Sequence, residues 1–168
     1  MAHPASEGLI EDVTTVVEAA VTGLAQDPCT FERSETNSGG RREVIFKLTP
    51  SNPRAAQITV HVEDGVGLVD VMLGQGGFFE VRARRGTRFA ASDMDEVRAL
   101  ICAAIRGRYK ETIWLKGDEV VQSRASATVG TGTLPLRWKQ LFTNPLRRSV
   151  RRDIDYEPYE PIGLRPLP

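Results

Sequence analysis

SDMDEVRALICAAIRGRYKETIWLKGDEVVQSRASA, residues Ser92 to Ala127, decides the fold. Val97, Leu100, Ile101, Ala104 and Ile105 recur at three and four residues. That period lines them up on one face of a helix. Ser92 is a good N-cap, and Asp95 stands three residues on, where a capping box takes an acid. Gly107 can end the helix in a left-handed turn. Tyr109 to Leu115 and Glu119 to Ala127 then read as two strands around Lys116-Gly117-Asp118. The apolar face of such a helix needs a sheet to cover it, and the remaining chain has the pattern to build one.

Upstream, Ser6 can cap a first helix whose stripe is Leu9, Ile10, Val13, Val16, Val17, Ala20 and Leu24. Glu11, Asp12 and Glu18 fill its other side, with the acids early, where they favour the helix dipole. Asp27-Pro28 ends it, since the residue before proline avoids helical geometry. Thr30 to Glu35 reads as a short strand before the Asn37-Ser38-Gly39-Gly40 turn. Val44, Phe46 and Leu48 alternate with Glu43, Ile45 and Lys47, and Ile58, Val60 and Val62 with Thr59, His61 and Glu63. Such alternation buries one face of each strand. Asp64-Gly65 is a hairpin signal. Val66 to Leu73 and Phe78 to Ala83 are further strands around Gly74-Gln75-Gly76-Gly77. Short links make these strands sequential and antiparallel.

The expected fold class is α+β: a two-layer sandwich in which one antiparallel meander sheet carries two helices on one face, followed by an irregular C-terminal tail. Residues 5–127 form the single domain of this reading and residues 128–168 its extension. Thr128 to Thr133 has linker composition, Pro135 starts a short helix carrying Leu134, Trp138, Leu141 and Phe142, and Asn144-Pro145 stops it. Pro158, Pro161, Pro166 and Pro168 give the end polyproline character. Residues after Thr133 are therefore expected to be dispensable for folding but needed for binding.

The formal net charge of zero removes any global pull toward nucleic acid, and 40% hydrophobic residues are enough for a core. Two cysteines, Cys29 and Cys102, are too few for a disulfide framework. Buried reduced thiols are the favoured reading and a single bridge the open alternative. Without a basic and apolar leader or a membrane-length run, the sequence reads as soluble and cytoplasmic.

Catalytic chemistry is poorly signalled. His3 and His61 are the only histidines, and no Cys-x-x-Cys, His-Glu-x-x-His or Gly-x-Ser-x-Gly spacing occurs. His61 alternates with apolar neighbours, which puts it on the exposed side of a strand. Asp93, Asp95 and Glu96 read as first-turn acids, which suit a helix start. Gly74-Gln75-Gly76-Gly77 precedes a strand rather than a helix, so it lacks the dipole that holds phosphate. The sequence thus implies no enzyme, metal or cofactor.

Two arginine clusters remain: Arg84, Arg85 and Arg88 after a strand, and Arg147, Arg148, Arg151 and Arg152 in the tail. The second lies near Trp138 and Phe142, and arginine with aromatics is an interface composition. The element order resembles that of small secretion-chaperone and toxin-immunity folds. The expected function is therefore a non-enzymatic module that sequesters or escorts another protein through these residues. The alternative is a binder of nucleic acid or a phosphate ligand through the same arginines.

Overall fold

Leu9, Ile10, Val13, Val16 and Val17 are buried along one side of helix α1 (Leu9–Thr22), as their spacing requires. The computed structural model describes residues 8–22, 24, 28–82, 91–139 and 149–160, with backbone alone for 137–139. A five-stranded meander follows α1: β1 (Cys29–Ser38), β2 (Arg41–Pro50), β3 (Ile58–Glu63), β4 (Leu68–Leu73) and β5 (Gly77–Arg82). Its spatial order is its sequence order, and every pairing is antiparallel. Gly39 and Gly40 join β1 to β2 with φ of 60° and 79°, the doubly left-handed turn that only small residues enter cheaply. The Asp64-Gly65 signal is a short 3-10 turn, Asp64–Val66.

Helix α2 (Ala91–Ile105) buries Val97, Leu100, Ile101, Ala104 and Ile105. It begins one residue earlier than the sequence suggests, so Ser92 lies inside its first turn. At the other end Gly107 takes φ 67°, its N–H bonds Ala104 O, and Arg108 N–H bonds Ala103 O. This is the paired closure that a C-terminal glycine permits. A Cβ on Gly107 would meet Pro158 N at 2.5 Å, so the late chain passes directly against this helix end.

The chain is α+β with an antiparallel meander sheet, as the sequence predicts, and its remaining strands form a second sheet where a single one is expected. β6 (Tyr109–Lys116), β7 (Glu119–Val129), β8 (Gly132–Lys139) and β9 (Val150–Asp155) make a second antiparallel sheet, ordered β8-β7-β6-β9. The expected helix from Pro135 is instead part of β8, whose Leu134 and Leu136 alternate with Thr133 and Pro135. An edge strand tolerates proline because a missing N–H there leaves no gap between two neighbours.

The described chain beyond Thr133, residues 134–139 and 149–160, contributes to the core rather than standing apart from it. Leu136 and Tyr159 join the apolar cluster that holds both helices and the inner sides of both sheets. Tyr159 donates its hydroxyl to Ala56 O at 2.7 Å, and its N–H bonds Ile105 O at 2.9 Å. Glu157 pairs with Ala55 and accepts from the Asn52 amide. Residues 156–160 thereby tie the β2–β3 loop to the end of α2. Cys29 and Cys102 are not bridged to one another, and both are half-buried rather than enclosed. Among the described residues no helix is long and apolar enough to cross a membrane.

Candidate binding faces and the buried carboxylate between the sheets

Strand alternation sends Tyr109, Glu111 and Ile113 of β6 inward and Lys110, Thr112 and Trp114 outward. On β7 it sends Val121, Ser123, Ala125 and Ala127 inward and Gln122, Arg124 and Ser126 outward. Ala125 and Ala127 share the core with both helices, so among the described residues the outward side is the one turned away from that core. Cross-strand register arranges that side in rows. Arg151, Trp114, Gln122 and position 139 form one row, and Asp153, Thr112, Arg124 and position 137 the next. The Arg124 guanidinium lies 5.6 Å from the Trp114 ring centre. A cation over an indole contributes about 0.5–1 kcal/mol at an exposed site and keeps the ring ordered.

A depression of about 480 Å³ runs over this surface, lined by Lys110, Thr112, Arg124, Ser126, Pro135 and Asp153. Lys110 pairs with Asp155 at 3.0 Å and Arg151 with Asp153 at 3.1 Å. Asp153 also accepts from Thr112 Oγ1 at 2.6 Å, and these partners hold its carboxyl below the usual range. Arg124 stands in no ion pair among the described residues. The face is therefore net basic with an aromatic near its middle.

The outer side of the five-stranded sheet is different. Its rows are Ser34, Ile45, His61, Asp70 and Glu80, then Glu32, Lys47, Thr59, Met72 and Phe78, then Thr36, Glu43, Glu63, Leu68 and Arg82. Arg41 reaches Glu63 and Arg82 reaches Glu80, yet carboxylates still outnumber cations. His61 sits on this outer side, as alternation predicts, 3.8 Å from Glu43 and 3.7 Å from Asp70. Burial, then the charge of Glu80, pushes the Asp70 carboxyl above its ordinary value. Ile45 and Met72 are 40% and 43% exposed, which makes this face apolar as well as acidic.

A polar cluster lies between the two sheets. Glu111 is only 2% exposed. Its Oε2 accepts from Gln75 N–H at 3.0 Å and from the Tyr156 hydroxyl at 2.9 Å, while its Oε1 has no hydrogen-bond partner. Burial raises its pKa, and the hydrogen bonds that its carboxylate accepts only partly offset that. Ser123 Oγ donates to Gly76 O, and the Tyr109 hydroxyl to Leu73 O at 3.0 Å. Tyr109 and Tyr156 stack with ring centres 5.1 Å apart. The Gly74-Gln75-Gly76-Gly77 turn thus docks the first sheet on the second. A Cβ at Gly76 would meet Ser123 Cβ at 2.8 Å, and one at Gly77 would collide with the Tyr109 hydroxyl. The glycines are there for close approach, not for phosphate.

Of the residues proposed from sequence, Arg151 lies on the basic face beside Trp114. Arg152 pairs opposite Ile113, on the other side of the same strand, where its charge acts on Tyr156. The backbone of Trp138 pairs with Ser123. Phe142, Arg147, Arg148, Arg84, Arg85 and Arg88 lie outside the described residues. Sequence reasoning missed Trp114 and Arg124, which only the β6–β7 pairing brings together. It also missed Glu111 and Ser123, although each stands on the apolar parity of its strand, a signal for a buried polar group.

No protein-family model matches the chain, and comparison with curated proteins and with solved structures returns no match.

Proposed function

We propose that this chain is a non-enzymatic cytoplasmic binding module that sequesters or escorts an acidic protein through the basic face of its four-stranded sheet. The observation that carries the reading is the half-buried Trp114, held under Arg124 on the outward side of the second sheet and flanked by Arg151. Interfaces are enriched in tryptophan and arginine, and such anchors dominate binding energy. The surrounding cations steer an acidic partner toward the face. Glu111, the buried carboxylate, supports a binding role over a catalytic one. It is 2% exposed, and its Oε2 is held by the Gln75 amide and the Tyr156 hydroxyl.

The same cations favour a second reading, a single-stranded nucleic acid stacked on Trp114. Affinity capture from nuclease-treated host lysate, with native chain and Arg124→Glu side by side, separates the two. The proposal expects an acidic protein that survives the nuclease and is lost with Arg124→Glu. Capture abolished by nuclease would move the function to nucleic acid, and capture indifferent to Arg124 would move it off this face.

A further inference from the structure

The two outer faces differ in sign, and each carries apolar side chains at its centre. Ile45 and Met72, with the half-buried Phe78 across from Met72, lie among Glu43, Asp70 and Glu80 on one. The half-buried Trp114 lies between Arg124 and Arg151 on the other, where Asp153 and Asp155 pair with Arg151 and Lys110 and leave Arg124 as the cation outside any ion pair among the described residues. The chain as a whole has a formal net charge of zero, so two copies meet with no global repulsion. We propose that the acidic face of one copy docks on the basic face of a second, in a head-to-tail contact that occupies the binding face when no partner is present. The proposal rests on the reading of that face as the binding surface.

The contact is heterologous: the patch used by one copy is not the patch used by the other. Such contacts close into rings or continue as open chains. Its strength follows from size. Four strands at about 4.8 Å and some six residues at about 3.3 Å give a footprint of about 400 Å². Stable complexes bury about 800 Å² per partner, so this contact belongs to the weak, transient class. Opposed charges on exposed faces also make it salt-sensitive, because screening at high ionic strength reaches only a few ångströms. A real partner, larger or better fitted, displaces the second copy.

Sedimentation velocity on the purified chain alone tests this, from about 10 µM to about 1 mM protein, the range where weak contacts populate. The mean mass should rise with concentration in about 50 mM salt and return to monomer in about 500 mM. Arg124→Glu with Arg151→Glu should abolish the rise, and so should Glu43→Lys with Glu80→Lys. The decisive arm mixes the two double variants. Each retains one intact face and the reversed faces are themselves opposite in sign, so the mixture should recover the rise in mean mass that each variant alone has lost. A monomeric native chain throughout the range overturns the proposal, as does a native chain that associates while the mixture does not. Circular dichroism on each variant shows that it folds. A variant that does not is replaced by Met72→Glu on the acidic face or Trp114→Ala on the basic one, with the same expectation. Because only this chain is present, failure here leaves the capture result with an acidic partner intact.

Discussion

The outer faces of the two sheets are built by the same rule and end with opposite character. In each, alternate residues of antiparallel strands are sent away from the core. On the first sheet Glu43, Asp70, Glu80, Ile45 and Met72 outweigh Lys47 and Arg82, and on the second Lys110, Arg124 and Arg151 surround Trp114 and outnumber Asp153 and Asp155. The inner faces show no such contrast, since both contribute aliphatic side chains to one cluster. Stability is therefore shared between the sheets, whereas recognition divides between them. A composition that sums to zero charge hides this, because the separation is set by strand parity and not by stretches of sequence.

The largest expected effect breaks the comparison altogether. Removing the chain after Thr133 deletes β8 and β9 and takes Leu136 and Tyr159 from the common core. The truncated protein should lose its cooperative thermal transition, and a sharp transition near the native midpoint would mean that the faces do not depend on a shared core. Next in size, Leu100→Ala or Ile101→Ala should cost about 2–5 kcal/mol, the range for core truncations. Urea titration followed by circular dichroism measures it, and a loss under about 0.5 kcal/mol at both sites would take α2 out of the core.

Glu111 gives a pH test of the seam between the sheets. Its folded pKa is raised by burial, so the folded state holds this proton more tightly than the unfolded one. Stability from this group is then full at acid pH and falls as pH rises from the ordinary carboxylate value to the raised one. Asp70 acts in the same sense. The native urea midpoint should decline over part of the range from about pH 4 to 8 relative to that of Glu111→Gln. Parallel curves would show that the carboxylate is not enclosed. The smallest effect belongs to the basic face: Arg124→Glu should change stability by no more than about 0.5 kcal/mol in the same titration while weakening partner capture. A larger loss of stability would make the face a structural rather than a recognition surface.

Periodic burial is what the sequence displays most clearly. Val97 to Ile105 repeat as a helix and Val44, Phe46 and Leu48 as a strand because one side of each meets the core. The split into two sheets was not legible, since nothing local to β5 or β6 states whether they pair. β8 was misread for a specific reason. Pro135 is a good first helical residue, and Leu134, Trp138 and Leu141 keep helical spacing, while Leu134, Leu136 and Trp138 alternate equally well. Pairing with β7 decided between them. The basic face depended on partners distant in sequence, Trp114 with Arg124 across a hairpin and with Arg151 across β9. Glu111 was readable in principle, because an acid between Tyr109 and Ile113 breaks an apolar parity.

The bond from Gln75 N–H to Glu111 has a consequence for how the molecule breathes. A turn amide ordinarily trades its hydrogen for solvent deuterium quickly, as nothing shields it. This one is covered by a carboxylate that belongs to the opposite sheet. Its exchange must wait for the hairpin to lift from β6, with the strand ladders on either side still closed. A single slow amide in an otherwise fast turn would time the parting of the two sheets, separately from unfolding of either.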